Sequence, residues 1–263
     1  PIINAILRPF AKMSHRMSKK ELMSVSGLVS FQTADIRFSL HTNQTCFVTK
    51  YMFYEGFEAY EYNWLFKDLA QNASCFLDVG ANIGEVSILA KRCKFDIPIV
   101  AVEPDAHETQ VLRLNLPEVQ HFGVFLDSVQ ESKLVILQND SGDTRLMNSL
   151  DRSNLSKKKL FEHGVITELI QTDSLDNILR DISFSDGFLK LEAEGFEPEI
   201  LAGFGRRIDD ISFFAIDVGP ERDGLETVDQ VKSMLESSKV RIKVFSDYGK
   251  RKFLNAYQET REA

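Results

Sequence analysis

The chain has 263 residues, 43% of them hydrophobic and 27% charged, which excludes wholesale disorder. Its 39 acids against 31 bases give a net charge of -8, a poor match for a phosphate backbone, so nucleic acid is not the expected partner. Three cysteines (Cys46, Cys75 and Cys93) with no C-x-x-C or H-E-x-x-H pattern form no disulfide framework and support no zinc site.

The first twenty residues carry Arg8, Lys12, Arg16, Lys19 and Lys20 and no acid, while the remaining 243 hold 26 bases and 39 acids. Two readings stand for this start. One is a helix folded against the body; the other is an interfacial helix touching an anionic membrane. A cleaved signal is disfavoured because Arg8 and Pro9 interrupt the apolar residues too early. No apolar run approaches the ~18 residues of a membrane span. The odd, unpatterned cysteines suit a reducing compartment, so the expected location is the cytoplasm, with a peripheral contact at the cytoplasmic membrane face as the alternative that the basic start offers.

Within 28–50, Val29, Phe31 and Thr33, then Ile36, Phe38 and Leu40, alternate with polar residues as half-buried strands do. Phe57, Tyr60, Trp64 and Leu65 follow at helical spacing. From Ser74 onward short apolar strands alternate with helices. The sequence predicts strand Cys75–Val79, helix Gly84–Arg92, strand Ile97–Val102, helix Ala106–Asn115 and strand Val119–Leu126. Strands Lys133–Gln138 and Val165–Gln171 flank a polar stretch, 139–163, read as a flap or functional loop. A helix near Ser174–Asp181, strand Phe188–Leu191, helix Glu197–Ala202 and strand Ile211–Val218 come next. Helix Glu226–Ser237 and a hairpin of Val240–Phe245 with Lys252–Tyr257 close the chain. The alternation implies a doubly wound, mostly parallel α/β sheet with an antiparallel C-terminal hairpin strand. It divides the chain into an N-terminal helix and strand extension, 1–73, and one domain, 74–263.

Three strand ends carry chemistry. Strand Cys75–Val79 runs through Asp78 into Gly80-Ala81-Asn82-Ile83-Gly84 and a helix. Gly80 lets a ligand approach the backbone and Gly84 lets the helix pack closely. The spacing is neither G-x-G-x-x-G nor a P-loop, and an acid aimed into the turn suits a cationic group. The next strand ends in Glu103-Pro104, where an acid can accept ribose hydroxyls. Together they point to a ligand with an adenosine part and a cationic part, as in S-adenosylmethionine. The third is Leu189-Lys190-Leu191-Glu192-Ala193-Glu194-Gly195, on a strand expected beside the first at the topological switch point. Crowded acids there raise one another's pKa or recruit a cation or base. Glu192 and Glu194 are read as functional, and Glu197 and Glu199 as first-turn residues of the following helix.

Five blocks in this order resemble the FkbM family of S-adenosylmethionine-dependent methyltransferases. They are Phe76–Gly84, Val102–Asp105 with Asn115, Thr172–Leu179, Leu189–Gly195, and Gly203. The family usually has Asp where this chain has Glu192, which keeps the charge and lengthens its reach by one methylene. The resemblance implies a class I methyltransferase (Rossmann-like) fold, a seven-stranded sheet whose last strand is antiparallel. It also implies O-methylation of a hydroxyl on a sugar, glycan or polyketide-type metabolite. Carried over by residue, Asp78, Gly80, Ala81, Asn82 and Gly84 would hold the amino-acid end of S-adenosyl-L-methionine. Glu103 and Pro104 would meet the ribose, and Asp127 the adenine.

A hydroxyl is a weak nucleophile, so a base or a metal must assist it. The candidate bases are Glu194, then Glu192, then Asp217 at the end of the Ile211–Val218 strand. His107, His121 and His163 are read as bland. A divalent cation held by Glu192, Glu194 and Asp217 is the other route, without a ligand pattern in the sequence to support it. The competing readings are a methyltransferase acting on protein or a small nitrogen nucleophile, and a cofactor-binding scaffold that does not catalyse.

Overall fold

A computed structural model describes residues 28–32, 37–41, 72–92, 96, 98–130, 132–137, 144–146, 166–220, 225–238, 240–247 and 252–258. The expected first helix, the aromatic helix at 57–71 and most of 139–163 lie outside the described residues. The two strands that the alternation predicts are β1 (Leu28–Gln32) and β2 (Arg37–His41), and they pair antiparallel.

The domain then runs β3 (Cys75–Val79), α1 (Glu85–Arg92), β4 (Ile99–Val102), α2 (Ala106–Asn115), β5 (Gln120–Phe122), β6 (Phe125–Leu126), β7 (Ser132–Leu137), β8 (Thr144–Leu146) and β9 (Ile166–Asp173). It continues with α3 (Leu175–Ile178), β10 (Gly187–Leu191), α4 (Glu197–Ala202), a 3-10 helix (Gly205–Asp210), β11 (Ile211–Asp217), α5 (Val228–Ser237), β12 (Val240–Asp247) and β13 (Lys252–Gln258).

Seven strands form the main sheet in the order β12-β13-β11-β10-β3-β4-β5. The pairs from β5 to β11 are parallel, and β13 is antiparallel to both β11 and β12. The chain therefore winds outward from β3 to one edge and then from β10 to the other. The carboxyl ends of β3 and β10 lie side by side where the direction reverses, the place where open α/β sheets bind ligands. Every residue of β3, β4 and β10 is buried. This is the mark of a parallel sheet covered on both faces, and it is why these strands read as apolar runs rather than alternations.

One expected strand, Val119–Leu126, is in fact two. Gly123 and Val124 separate β5, which ends the main sheet, from β6, which pairs with β9 in a second sheet ordered β6-β9-β7-β8. A glycine inside a short strand pattern marks such a corner. Thr144–Leu146, inside the polar stretch, is strand β8 rather than loop. The 3-10 helix has no counterpart in the sequence reading, and the helix expected near Ser174–Asp181 is a four-residue turn of helix.

Candidate active site

The first turn is built by backbone bonds. Gly80 and Ala81 both donate to the Val102 carbonyl at 3.0 Å, so the end of β4 holds the turn that follows β3. Gly80 has φ +71, and a Cβ on it would lie 1.7 Å from the Glu192 carbonyl oxygen. Only glycine satisfies both the left-handed backbone and that approach. Gly84 has φ +89, and a Cβ there would press on Leu112 of α2 and on Leu116 just past that helix. Asn82 is left-handed as well, at φ 49.

Glu103, at the tip of β4, is 8% exposed. Its Oε2 accepts the Asn82 N–H at 2.7 Å and its Oε1 the Asp105 N–H at 2.9 Å. Burial pushes its carboxyl up to about 7, and the two N–H bonds oppose that rise. A carboxylate has about four acceptor sites, so room remains for two ribose hydroxyls. Thr109 on α2 donates to the Glu103 carbonyl at 2.7 Å, and Asn115 Nδ2 donates to the Ile83 carbonyl at 2.7 Å. Helix α2 thus grips both tips. Asn115 belongs to the resembling blocks, but its partner is readable only in three dimensions.

Asp78 is fully buried. Ser87 on α1 donates to its Oδ2 at 2.6 Å, and Lys190 Nζ pairs with its Oδ1 as an ion pair at 3.2 Å. Asp78 and Lys190 are register partners on parallel strands, so their side chains share a face. Lys190 Nζ also donates to the carbonyls of Gly80 at 2.5 Å and Val79 at 3.3 Å, and lies 3.6 Å from Glu192 Oε2. Burial pulls the Lys190 ammonium down, but the Asp78, Glu192 and Glu85 carboxylates outweigh it and hold it above its ordinary value. Glu85, at the start of α1, is pushed up to about 8 by burial, with Lys190 opposing. Its Oε2 is buried without a hydrogen-bond partner, as is the Asn82 Oδ1. The sequence reading assigned no role to Lys190 or Glu85. A lysine between Leu189 and Leu191 in a fully buried strand was the available signal, since such a charge requires a partner.

The three candidate bases follow β10 and β11. Glu192 donates its N–H to the Val79 carbonyl at 3.1 Å, which ties this turn to the cofactor turn. Glu194 is half-buried with φ 53, and Gly195 follows at φ 93. Asp217 follows Ile216, the register partner of Leu191, and its Oδ1 accepts the Gly219 N–H at 3.0 Å. Asp127 follows β6 rather than β5, and its Oδ1 accepts from Ser128 N at 2.6 Å. Pro104 stands beside Glu103, half-buried, and Ala81 is buried in the turn. His121 on β5 is held below its ordinary pKa by burial first and Arg113 second, while His163 lies outside the described residues. Among the described residues, no group of three or more His, Cys, Asp and Glu is placed to hold a metal ion. No helix among them is long and apolar enough to cross a membrane.

The strand order, the reversed β13 and a glycine turn facing an acid on the next strand define a class I methyltransferase fold with a site for S-adenosylmethionine. Residues 78–251, well over half of the chain, match the methyltransferase FkbM domain, and the protein belongs to that family of S-adenosylmethionine-dependent methyltransferases. No curated protein sequence matches it. Among solved structures, it is similar to the ribosomal protein L11 methylase of Lactobacillus delbrueckii subsp. bulgaricus, at 9% identity and TM-score 0.42 over 75% of this chain and 76% of that one. It is also similar to precorrin-6y C5,15-methyltransferase of Geobacter metallireducens GS-15, at 14% identity and TM-score 0.43 over 78% and 89%. A third is a TehB-like S-adenosylmethionine-dependent methyltransferase of Corynebacterium glutamicum, at 13% identity and TM-score 0.40 over 75% and 86%. At such values these three say nothing about the acceptor.

Proposed function

We propose that the protein methylates a hydroxyl of a sugar, glycan or polyketide-type metabolite. The observation that carries this reading is the row of carboxylates at the adjacent tips of β4, β3 and β10, which continues into Glu194 on a left-handed turn. Such strain persists only where surrounding structure holds it, and it clusters at functional sites. The family membership supports methyl transfer from S-adenosylmethionine.

The bound cofactor supplies a methyl group on a sulfonium. Gly80, Ala81, Asn82 and Gly84 shape the amino-acid end of its site, and Asp78 fixes that turn from below through Lys190 and Ser87. Glu103, with Pro104 beside it, would receive the ribose, and Asp127 would approach the adenine. As the acceptor oxygen gains carbon it loses its proton, which passes to Glu194. Glu192 is the second candidate for this role and Asp217 the third. Charge is cancelled as the reaction proceeds, so the protein's main contributions are alignment and exclusion of water. We place the reaction in the cytoplasm.

A labelled-methyl transfer screen across hydroxylated sugars and metabolites tests this reading. Transfer to a hydroxyl is the expected result. Transfer only to proteins or amines would overturn the acceptor class, and cofactor binding without any transfer would favour a scaffold.

A further inference from the structure

Glu197 is the first residue of α4 and is only 1% exposed. An acid at this position ordinarily faces water and complements the helix dipole. Here the carboxylate folds back out of the helix. Its Oε1 accepts the N–H of Ala193 at 3.0 Å and the N–H of Gly195 at 3.1 Å. These two donors flank Glu194, so one carboxylate oxygen closes the turn around it. The bonds are needed, because Glu194 and Gly195 are consecutive left-handed residues and an L-residue there is disfavoured. The other oxygen, Oε2, accepts the buried hydroxyl of Thr227 at 3.3 Å. Thr227 is the N-cap residue of α5, yet its side chain makes no capping bond to that helix. Its hydroxyl is committed to Glu197 instead.

A chain of contacts results. The cofactor turn at Gly80 touches Glu192, Glu192 enters the turn that carries Glu194, Glu197 closes that turn, and Thr227 joins it to the segment leading from β11 into α5. Burial pushes the Glu197 carboxyl up, and the bonds from Ala193, Gly195 and Thr227 oppose that rise. Burying a carboxylate is costly unless it is fully bonded, and a residue needed only to begin α4 could stay in water.

We infer that Glu197 is a positioning residue. It fixes the Glu192–Gly195 turn so that Glu194 faces the acceptor, and through Thr227 it couples that turn to the segment entering α5. The inference rests on the reading of Glu194 as the group that takes the acceptor's proton.

The test compares Glu197→Gln, Glu197→Leu and Thr227→Val, alone and with Glu194→Gln, using the hydroxylated acceptor that scores in the labelled-methyl screen. Gln keeps an oxygen for the two N–H donors and can donate to the Thr227 hydroxyl; Leu removes both functions. Glu197→Leu is expected to lower kcat by roughly a hundredfold, the lower end for a misplaced base, with the cofactor Kd changed by less than about threefold. Glu197→Gln should stay within about threefold of the parent. In the double variant, Glu197→Leu should add little to Glu194→Gln, since both act on one group. Thr227→Val, which removes only a hydroxyl, should lower kcat about fivefold at unchanged Kd.

Losses that multiply in the double variant, or a failure of Gln to rescue, would overturn the positioning role. Unchanged kcat in Thr227→Val would remove the link to α5. If Glu194→Gln alone leaves turnover intact, the assignment of the base fails instead, and the two failures are thereby separated. Amide hydrogen exchange reads the turn without any acceptor. Protection at Ala193 and Gly195 should be lost in Glu197→Leu and kept in Glu197→Gln, and equal protection in all three proteins would overturn the inference.

Discussion

Two turns stand side by side at the carboxyl end of the sheet and are held in different ways. The turn after β3 is fixed by backbone bonds to the Val102 carbonyl and by the absence of a Cβ at Gly80. The turn after β10 is fixed by a side chain, with Glu197 reaching back to Ala193 and Gly195. The first rests mainly on the backbone of its strands, with Glu103, Lys190 and Asn115 adding side-chain bonds. The second can be retuned by one or two side chains.

The sharpest way to break the comparison is Lys190→Met. Lys190 is the shared element, since it bonds the Val79 and Gly80 carbonyls and pairs with Asp78 and Glu192. Removing it leaves Asp78 buried without its cation, a loss of about 3–5 kcal/mol. Urea unfolding is expected to show that loss, and Asp78→Asn in the same chain should return part of it. A single variant as stable as the parent would mean that the two turns do not share this support.

Next in size is Glu194→Gln, which acts on the second turn alone. Turnover should fall by roughly a hundredfold or more, the contribution of a general base, while calorimetry finds the cofactor affinity nearly unchanged. Equal losses in both quantities would place Glu194 at the cofactor instead.

Glu103→Gln acts on the first turn alone and should weaken cofactor binding by ~1.5–3 kcal/mol, the scale of a charge-assisted hydrogen bond. It also has a pH signature. Burial raises the Glu103 carboxyl to about 7, with Asp105 and Glu108 adding to the rise and the Asp105 and Asn82 N–H groups opposing it. The native state therefore holds a proton that the unfolded chain has released, and stability falls as pH climbs from about 4.5 toward 7. Ribose hydroxyls donate to the ionised form, so cofactor affinity should rise over the same interval and level off above it. Titrations from pH 5 to 8 should show this rise in the parent and lose Glu103's share of it in Glu103→Gln. A parallel pH profile in both would remove Glu103 from the ribose site.

The same division explains what could be read from the chain. Asp78, Gly80 and Glu103 are legible because each sits where an apolar run meets a turn residue, a signal confined to a few neighbours. The placement of β10 beside β3 is legible from the winding of α/β units. The partners are not. Lys190 and the Val79 carbonyl are 111 residues apart, and nothing local in either segment names the other. The split of β5 from β6 was signalled by Gly123 but is decided by pairing with β9, whose register lies more than forty residues away. Glu197 shows the limit most clearly. Its type and position fit a helix start, and only the fold shows that its oxygens serve the preceding turn and Thr227.

The smallest effect tests how far the rigidity of the first turn reaches. Asn115 is the last residue of α2, and its amide donates to the Ile83 carbonyl inside the cofactor turn. Both groups are buried, so Asn115→Leu, which keeps the branched heavy-atom skeleton but not the donor, leaves one carbonyl unsatisfied at a cost of about 1–2 kcal/mol. If the turn is held as a unit by Val102, that cost should appear in unfolding measurements while cofactor affinity falls less than about fivefold. If affinity falls with stability, the turn depends on α2 as the second turn depends on Glu197. The two would then differ in which partner holds them and not in kind.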